Sequence, residues 1–414
     1  MKISSLISIL CILTVIIIGP AGRSENQGHW RGDNGNGASV TAKPPIEWSA
    51  TKNVKWKVAI PGRSSGTPAI WGNQVFAVSA VGSGKLKFTV YSFDRGTGKL
   101  QWEKIAIEAE PHEGTHQTNG FASASPCTDG EHVYAHFGSR GLYCYTMDGT
   151  LKWSRSFGNM ATRNSFGEGS SPTLSGDRIF VPWDHEGQSA IYALDKLTGE
   201  IIWKTERDEP TSWATPLVVE TDGKKQVITN GENYARAYDF DTGEELWRCR
   251  GQTTRPVASP VYANGIVYIG SGFRGSFLGA FTLEGKGDIE GSDQVVWTID
   301  RDTPDIASLL LSENRIYFYK AKTGILTCVD AATGKVLFGP ERTPGISNTY
   351  ASPVAAGGYV FLTGRSGNTT VIKDTDSFEF VTTNSVGETV DATPVPVDNE
   401  IFIRGEKHLF CISE

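Results

Sequence analysis

Long helical patterning is missing from this chain. Beyond residue 20 no stretch repeats apolar side chains at helical spacing, whereas Gly (47) and Pro (19) are plentiful among the 414 residues. Short alternating runs bounded by Gly, Asn and Asp remain, so the chain reads as all-β. Lys/Arg-rich runs are missing too. With a formal charge of −7 the chain lacks the clustered basic surface that a nucleic-acid partner requires. Cysteine is scarce, six in all, and no Cys-x-x-Cys spacing occurs, which removes zinc-ribbon and thioredoxin-type sites.

Apolar runs are equally limited. Lys2, the apolar stretch from Ile3 to Ile18 and Gly19-Pro20-Ala21 read together as a secretory signal over residues 1–21. At about 16 residues the stretch is shorter than the ~20 that span a bilayer, which favours cleavage over a retained anchor. The mature chain is therefore expected in the periplasm or outside the cell, monomeric and without a stable membrane span. Export permits disulfides. Of the remaining cysteines, Cys127 and Cys144 fall in one unit and could pair. Cys144, Cys328 and Cys411 occupy corresponding strands and look more like buried small apolar side chains.

What is present is repetition. A small residue, then Ser or Thr, then usually Pro recurs eight times, with the hydroxyl at Thr67, Ser125, Ser171, Thr215, Ser259, Ser308, Ser352 and Thr393. Between these copies runs Ala-x-Asp-x-x-Thr-Gly-x-x-x-Trp, clearest at Ala193, Asp195, Thr198, Gly199 and Trp203. A period of ~40–50 residues with several strands per unit predicts a propeller. The expected layout is an arm over 22–47 and one eight-bladed β-propeller of four-stranded antiparallel blades over 48–414. In the third unit the strands are expected at 169–175, 178–183, 189–194 and 200–205. Trp203 lands on the outer strand, as do Trp56, Trp102, Trp153, Trp247 and Trp297, with Phe338 and Phe380 completing the set. The chain stops after a third strand, so 53–60 must supply the last outer strand and close the ring, removing exposed sheet edges. Trp30 and Trp48 are expected to pin the arm to the propeller surface.

In such a blade the links from fourth to next first strand share a face with the second-to-third turns. Here those links are long and unlike one another, and such loops on a rigid scaffold carry function. Three features stand out on that face. His112 and His116 in the longest link, with Asp184, His185 and Glu186 in a neighbouring turn, could form a metal site or an acid–base pair. Arg140, Arg274, Arg365 and Arg404, with Lys320 in the analogous turn, repeat a cation around one rim, as an anion site would, or cap carbonyls and pair with carboxylates such as Asp391. Two residues before each hydroxyl stand Ser65, Ser123, Gly169, Trp213, Val257, Ile306, Tyr350 and Asp391, of which Trp213, Tyr350 and Asp391 could line an axial funnel or plug it.

The Asp-x-x-Thr-Gly-x-x-x-Trp repeats, with His29-Trp-Arg-Gly-Asp-Asn-Gly and Asn53-Val-Lys-Trp-Lys-Val-Ala-Ile-Pro-Gly62, resemble those of PQQ-like (quinoprotein-type) β-propellers. That family spans PQQ-dependent alcohol dehydrogenases and BamB-like envelope scaffolds, and the opening resembles an exported bacterial branch. The dehydrogenase comparison implies a PQQ cofactor with Ca²⁺, Trp213 stacked on it and Asp391 as general base. It also implies two adjacent cysteines over the cofactor, and none of these cysteines are neighbours; no Cys-x-x-Cys-His haem motif occurs, and the calcium-holding Glu and Asn have no match. The expectation is a binding or scaffold module for an envelope protein, a peptide or an acidic glycan. A PQQ-dependent alcohol or sugar dehydrogenase is the alternative, and a hydrolase using the His/Asp/Glu cluster a third.

Overall fold

The computed structural model describes residues 25–414 apart from residue 33, so the signal-segment reading lies outside the described residues. Eight antiparallel sheets form the blades of one ring, spanning 69–109, 127–155, 173–207, 217–249, 261–299, 310–342, 354–385 and 395–412. Helix is confined to two short 3-10 turns among the described residues, Gly138–Arg140 and Arg163–Ser165. Blade 3 runs Thr173–Ser175, Arg178–Trp183, Ser189–Asp195 and Ile201–Arg207. Its first strand begins later than expected because the Ser171 amide bonds to Thr215 Oγ1 of blade 4 instead of joining its own ladder.

That bond is one of eight of the same kind. Each repeat hydroxyl accepts the amide of its counterpart in the preceding blade at 2.9–3.1 Å, from Thr67 N–H to Ser125 round to Thr393 N–H and back to Thr67. The recurring Ser or Thr is thus explained: at the crowded axis only a short side chain with an acceptor can satisfy the neighbour's buried donor. Ser308 is 1 % exposed and accepts the Ser259 amide at 2.9 Å. Ser308→Ala is expected to cost about 1–3 kcal/mol by orphaning that N–H, with Ser308→Thr close to neutral. Urea denaturation checks this, and an unchanged midpoint for the alanine variant would show that the ring contributes nothing.

The second repeat signal joins blades at the periphery. The indoles of Trp56, Trp102, Trp153, Trp203 and Trp297 donate to carbonyls of the next blade, at Arg95, Met147, Lys196, Phe240 and Ala331, over 2.8–3.0 Å. A Cβ on Gly199 would meet the Trp153 ring at 2.5 Å, and φ there is +70°. The Thr-Gly turn is therefore the socket for the preceding blade's tryptophan as well as a left-handed turn. Blade 4 departs from the pattern. Its outer strand Glu245–Cys249 gains a parallel neighbour, Gly287–Asp288, from the longer hairpin of blade 5, and Trp247 bonds Gln226 instead.

Ring closure occurs as expected. Val54–Ala59 pairs antiparallel with His408–Ile412, placing Trp56 opposite Cys411. Across the seam Arg95 bonds Glu400 and Asp398 at 2.7 Å each, and Lys55 bonds Glu400 at 2.6 Å.

The register corrects one expectation. In blade 3 Trp203 pairs with Ala193 and Ile201 with Leu194 across a bulge; in blade 7 the same bulge pairs Thr382 with Val371 and Phe380 with Ile372. Phe380 therefore stands two residues before the tryptophan position and is 50 % exposed. The indole between blades 7 and 8 comes from Trp48, just past the end of the arm. Trp48, 4 % exposed, stacks on Phe361 with centroids 6.2 Å apart and packs against Val371, Val354 and Ile401.

The arm is mostly loop, with Ala38–Ser39 paired in parallel to the inner strand of blade 7 and Gln27 bridged to Ile70. Trp30 does not merely rest on the surface, because it reaches the axis and lines the central cavity. All five described cysteines are free and buried, so Cys127 and Cys144 do not pair. Cys144, Cys328 and Cys411 lie opposite Trp153, Phe338 and Trp56. Burial pushes the Cys144 and Cys328 thiols up to about 12, which leaves them inert as nucleophiles.

Candidate functional site

A funnel of about 350 Å³ opens on the face carrying the long links. All eight positions two residues before the hydroxyls line it, beginning with Ser65 and ending with Asp391. The repeat places them there because each inner strand begins at the axis and the next position is kept small by crowding. His116, Phe166 and Phe273 from the links add aromatic wall, and Trp30 enters from the arm. The volume falls within the ~300–1,000 Å³ of small-ligand pockets.

The three singled-out lining residues are held by neighbours. Trp213 Nε1 donates to Gly167 O at 2.7 Å. The Tyr350 hydroxyl lies 3.1 Å from Thr118 Oγ1, which in turn lies 2.8 Å from His116 Nδ1. Asp391 accepts both Arg365 Nε and Nη2, at 2.5 and 3.0 Å, and the same guanidinium sits 4.5 Å above the Tyr350 ring. The hydrogen bond from Arg365 to Asp391 holds the guanidinium's pKa above its usual value.

The repeated cations do not share one role. Lys320 pairs with Asp302 at 2.6 Å, and Arg140 bonds His112 Nδ1 and Asn159 Oδ1. Arg404 is 1 % exposed and bonds the Gly405 carbonyl, so it is removed from any ligand on the rim; burial lowers its pKa to about 10. Arg274 is exposed, at φ +54°, 5.3 Å from the Phe273 ring and with no hydrogen-bonded partner among the described residues.

The His/Asp/Glu cluster does not converge. Asp184 accepts Arg207 through both oxygens at 2.7 and 3.0 Å and Ser212 Oγ at 2.6 Å. His185 Nδ1 accepts the amides of Ala161 and Gly187, while Nε2 faces Gln188 O. Glu186 accepts Thr211 and pairs with Arg163 at 3.3 Å. His112 Nε2 is taken by Met160 O at 2.6 Å. Among the described residues the one metal-capable trio is instead Asp129, Glu131 and His132, and Asp129 is already spent on Lys196 and on capping the amides of Glu131 and His132.

Two hydrolase motifs occur in letters alone. His112-Glu113-Gly114-Thr115-His116 matches His-Glu-x-x-His, but it lies in a loop and not on the helix that aligns two zinc ligands. Glu113 there accepts the Thr162 hydroxyl and amide. Gly62-Arg63-Ser64-Ser65-Gly66 matches Gly-x-Ser-x-Gly, but no helix follows it, and the Ser64 hydroxyl donates to Ala122 O at 2.6 Å.

A calcium-bound quinone does not fit the wall. Ca²⁺ takes about six to eight oxygens, usually several from carboxylates. Among the described residues Asp391 is the one carboxylate lining the funnel, and both its oxygens already face Arg365.

Sequence reasoning passed over Arg255, Lys322 and Phe273, and gave Trp30 a role in pinning the arm but not in the funnel. Arg255, at φ +51°, lies 3.6 Å from the Phe273 ring and pairs with Asp305 at 3.0 Å. Lys322 lines the funnel two residues beyond the cation that the repeat alignment selected.

Known proteins resemble this chain in both sequence and fold. Outer membrane protein assembly factor BamB of Francisella tularensis is 23 % identical over 160 residues, 36 % of this chain and 31 % of that protein. The quinoprotein ethanol dehydrogenase of Pseudomonas putida is 35 % identical over 77 residues, 19 % of this chain and 11 % of that one. This chain thus spans under a third of the length of these curated relatives. The crystal structure of BamB from Moraxella catarrhalis superposes with a TM-score of 0.59 at 14 % identity, covering 87 % of this chain and 97 % of that one, a likeness of fold. The family described as outer membrane protein assembly factor BamB matches residues 24–169 and 147–292, which together span well over half of the sequence. This chain belongs to that BamB family of PQQ-like β-propellers.

Proposed function

We propose that this propeller is an exported scaffold of the cell envelope that holds another protein on its loop-rich face, in the setting of outer membrane protein assembly. One observation carries the reading. The face presents a preformed, aromatic-walled funnel, while the acids and histidines that could have done chemistry are engaged in neighbouring hydrogen bonds and ion pairs. A rigid ring with side chains already held loses little conformational freedom on binding. Family membership and the names of its relatives support the envelope setting. Among the described residues no helix is long and apolar enough to cross a membrane.

A photo-crosslinking amino acid placed at exposed Gln117 on the loop-rich face, and as a control at Val336 on the outer rim, tests this in the native envelope. A discrete adduct to an outer membrane assembly protein from position 117 and none from 336 is the expected result. Adducts from neither position, or micromolar PQQ binding with dye-linked oxidation of alcohols, would overturn the scaffold reading in favour of a dehydrogenase.

A further inference from the structure

The funnel wall is electrically lopsided. On the blade 8 side Asp391 and Arg365 neutralise each other. On the wall of blades 5 and 6 the Phe273 ring is flanked by two guanidiniums, Arg255 at 3.6 Å and Arg274 at 5.3 Å. Lys322 lines the same wall, half-buried, and no carboxylate lies in ion-pair contact with it among the described residues. Asp305 opposes these cations. It is 3 % exposed, pairs with Arg255, and feels both Arg255 and Lys322. Glu232, which accepts the Arg255 amide at 3.0 Å, is itself paired with Arg163 at 2.6 Å, so Lys322 on the wall and Arg274 at its rim are left without an ion-pair partner among the described residues. The Arg255 Nε is buried with no hydrogen-bond acceptor among the described residues.

Beside the cations stand Val257 and Ile306, and below them Trp30. This apolar lining distinguishes between anionic partners. A glycan would bring ring hydroxyls against Val257 and Ile306 and leave them unpaired, at a cost. An acidic peptide with a bulky apolar side chain would place carboxylates on Arg274 and Lys322 and bury the side chain between Phe273, Val257 and Ile306.

Resting on the scaffold reading above, we propose that the partner docks by inserting an acidic peptide segment with a bulky apolar anchor along the blade 5–6 wall. Arg274 sets the entry at the rim and Lys322 the deeper contact. Electrostatic complementarity of this kind selects the partner and speeds its arrival.

Display of random peptides of about twelve residues on the mature protein tests this without presupposing a sequence. Enriched peptides are expected to be rich in Asp and Glu around a Phe, Leu or Trp. A labelled winner should lose about tenfold or more in affinity in each of Arg274→Glu and Lys322→Glu. It should weaken as salt rises from about 0.05 to about 0.5 M, through Debye screening. Both substitutions lie at a rim or cavity wall, and thermal unfolding confirms that the variants fold. Neutral or basic winners, binding that survives both reversals, or binding of oligogalacturonate where no peptide is enriched would each overturn the proposal. If position 117 still crosslinks an assembly protein in those cases, the scaffold reading stands and only the acidic segment falls.

Discussion

Asp184→Ala is expected to destabilise the protein by about 3–5 kcal/mol, because it strands a buried cation. Arg207 and Asp184 have side chains 0 % and 2 % exposed, joined by two hydrogen bonds of 2.7 and 3.0 Å. The guanidinium also bonds Thr229 and Tyr238 of blade 4, so the pair ties two blades together. Burial alone would lower the Arg207 pKa, and the charges of Asp184, Tyr238 and Glu209 reverse that direction. Glu209 cannot take over the pairing, since its oxygens serve Arg236 and the amides of Asn233 and Tyr234. Replacing both partners by Leu and Met should recover most of the loss, as buried pairs often give way to apolar packing without penalty. Urea denaturation of the single and double variants measures it. A loss under about 0.5 kcal/mol, as at an ordinary surface position, would mean that Asp184 is free to act elsewhere.

Trp48→Ala should cost about 3–5 kcal/mol, comparable to removing a core aromatic from a conventional domain. The ring sits between blades 7 and 8 against Phe361, where Trp203 and Trp56 sit against Phe180 and Phe402 in blades 3 and 8. Its backbone amide bonds Asn384 Oδ1 at 2.9 Å, and Asn384 Nδ2 returns a bond to Ile46 O. Phe380→Ala is the contrast and should cost less than about 1 kcal/mol, because that side chain is 50 % exposed. Hydrogen exchange should localise the Trp48→Ala loss to 354–412. Equal effects for the two substitutions would put Phe380 back into the inter-blade position.

Periodicity made most of the fold legible in the sequence. Eight hydroxyl copies and the Thr-Gly…Trp spacing repeat because each blade must solve the same two contacts, one at the axis and one at the rim. Closure by 53–60 could be read from the missing last strand. Trp48 could not be read this way, since it belongs to no repeat and its likeness to the rim tryptophans exists only in space. The failure at Phe380 has the same origin: a bulge shifts the outer strand, and counting letters backward from the next repeat cannot detect it.

The candidate site divides along the same line. Trp213, Tyr350 and Asp391 were legible as funnel residues because they break a regular pattern at a fixed axial position. His112, Asp184 and His185 looked equally informative, yet each is consumed by a neighbour from a different link. Arg255 and Lys322 went unnoticed because cations on irregular loops carry no periodic mark.

By itself the sequence determined the all-β class, the eight units, the circular closure and the ring of variable residues around the axis. These follow from local alternation and from a period, both of which are properties of the chain in one dimension. Only the tertiary structure decided which charged groups are spent on one another, that Trp30 lines the funnel and Trp48 wedges two blades, and that unpaired positive charge gathers on the wall of blades 5 and 6. The physical reason is that pairing and burial depend on distances between loops remote in sequence. Asp184 meets Arg207, and Asp391 meets Arg365, only after the blades have packed.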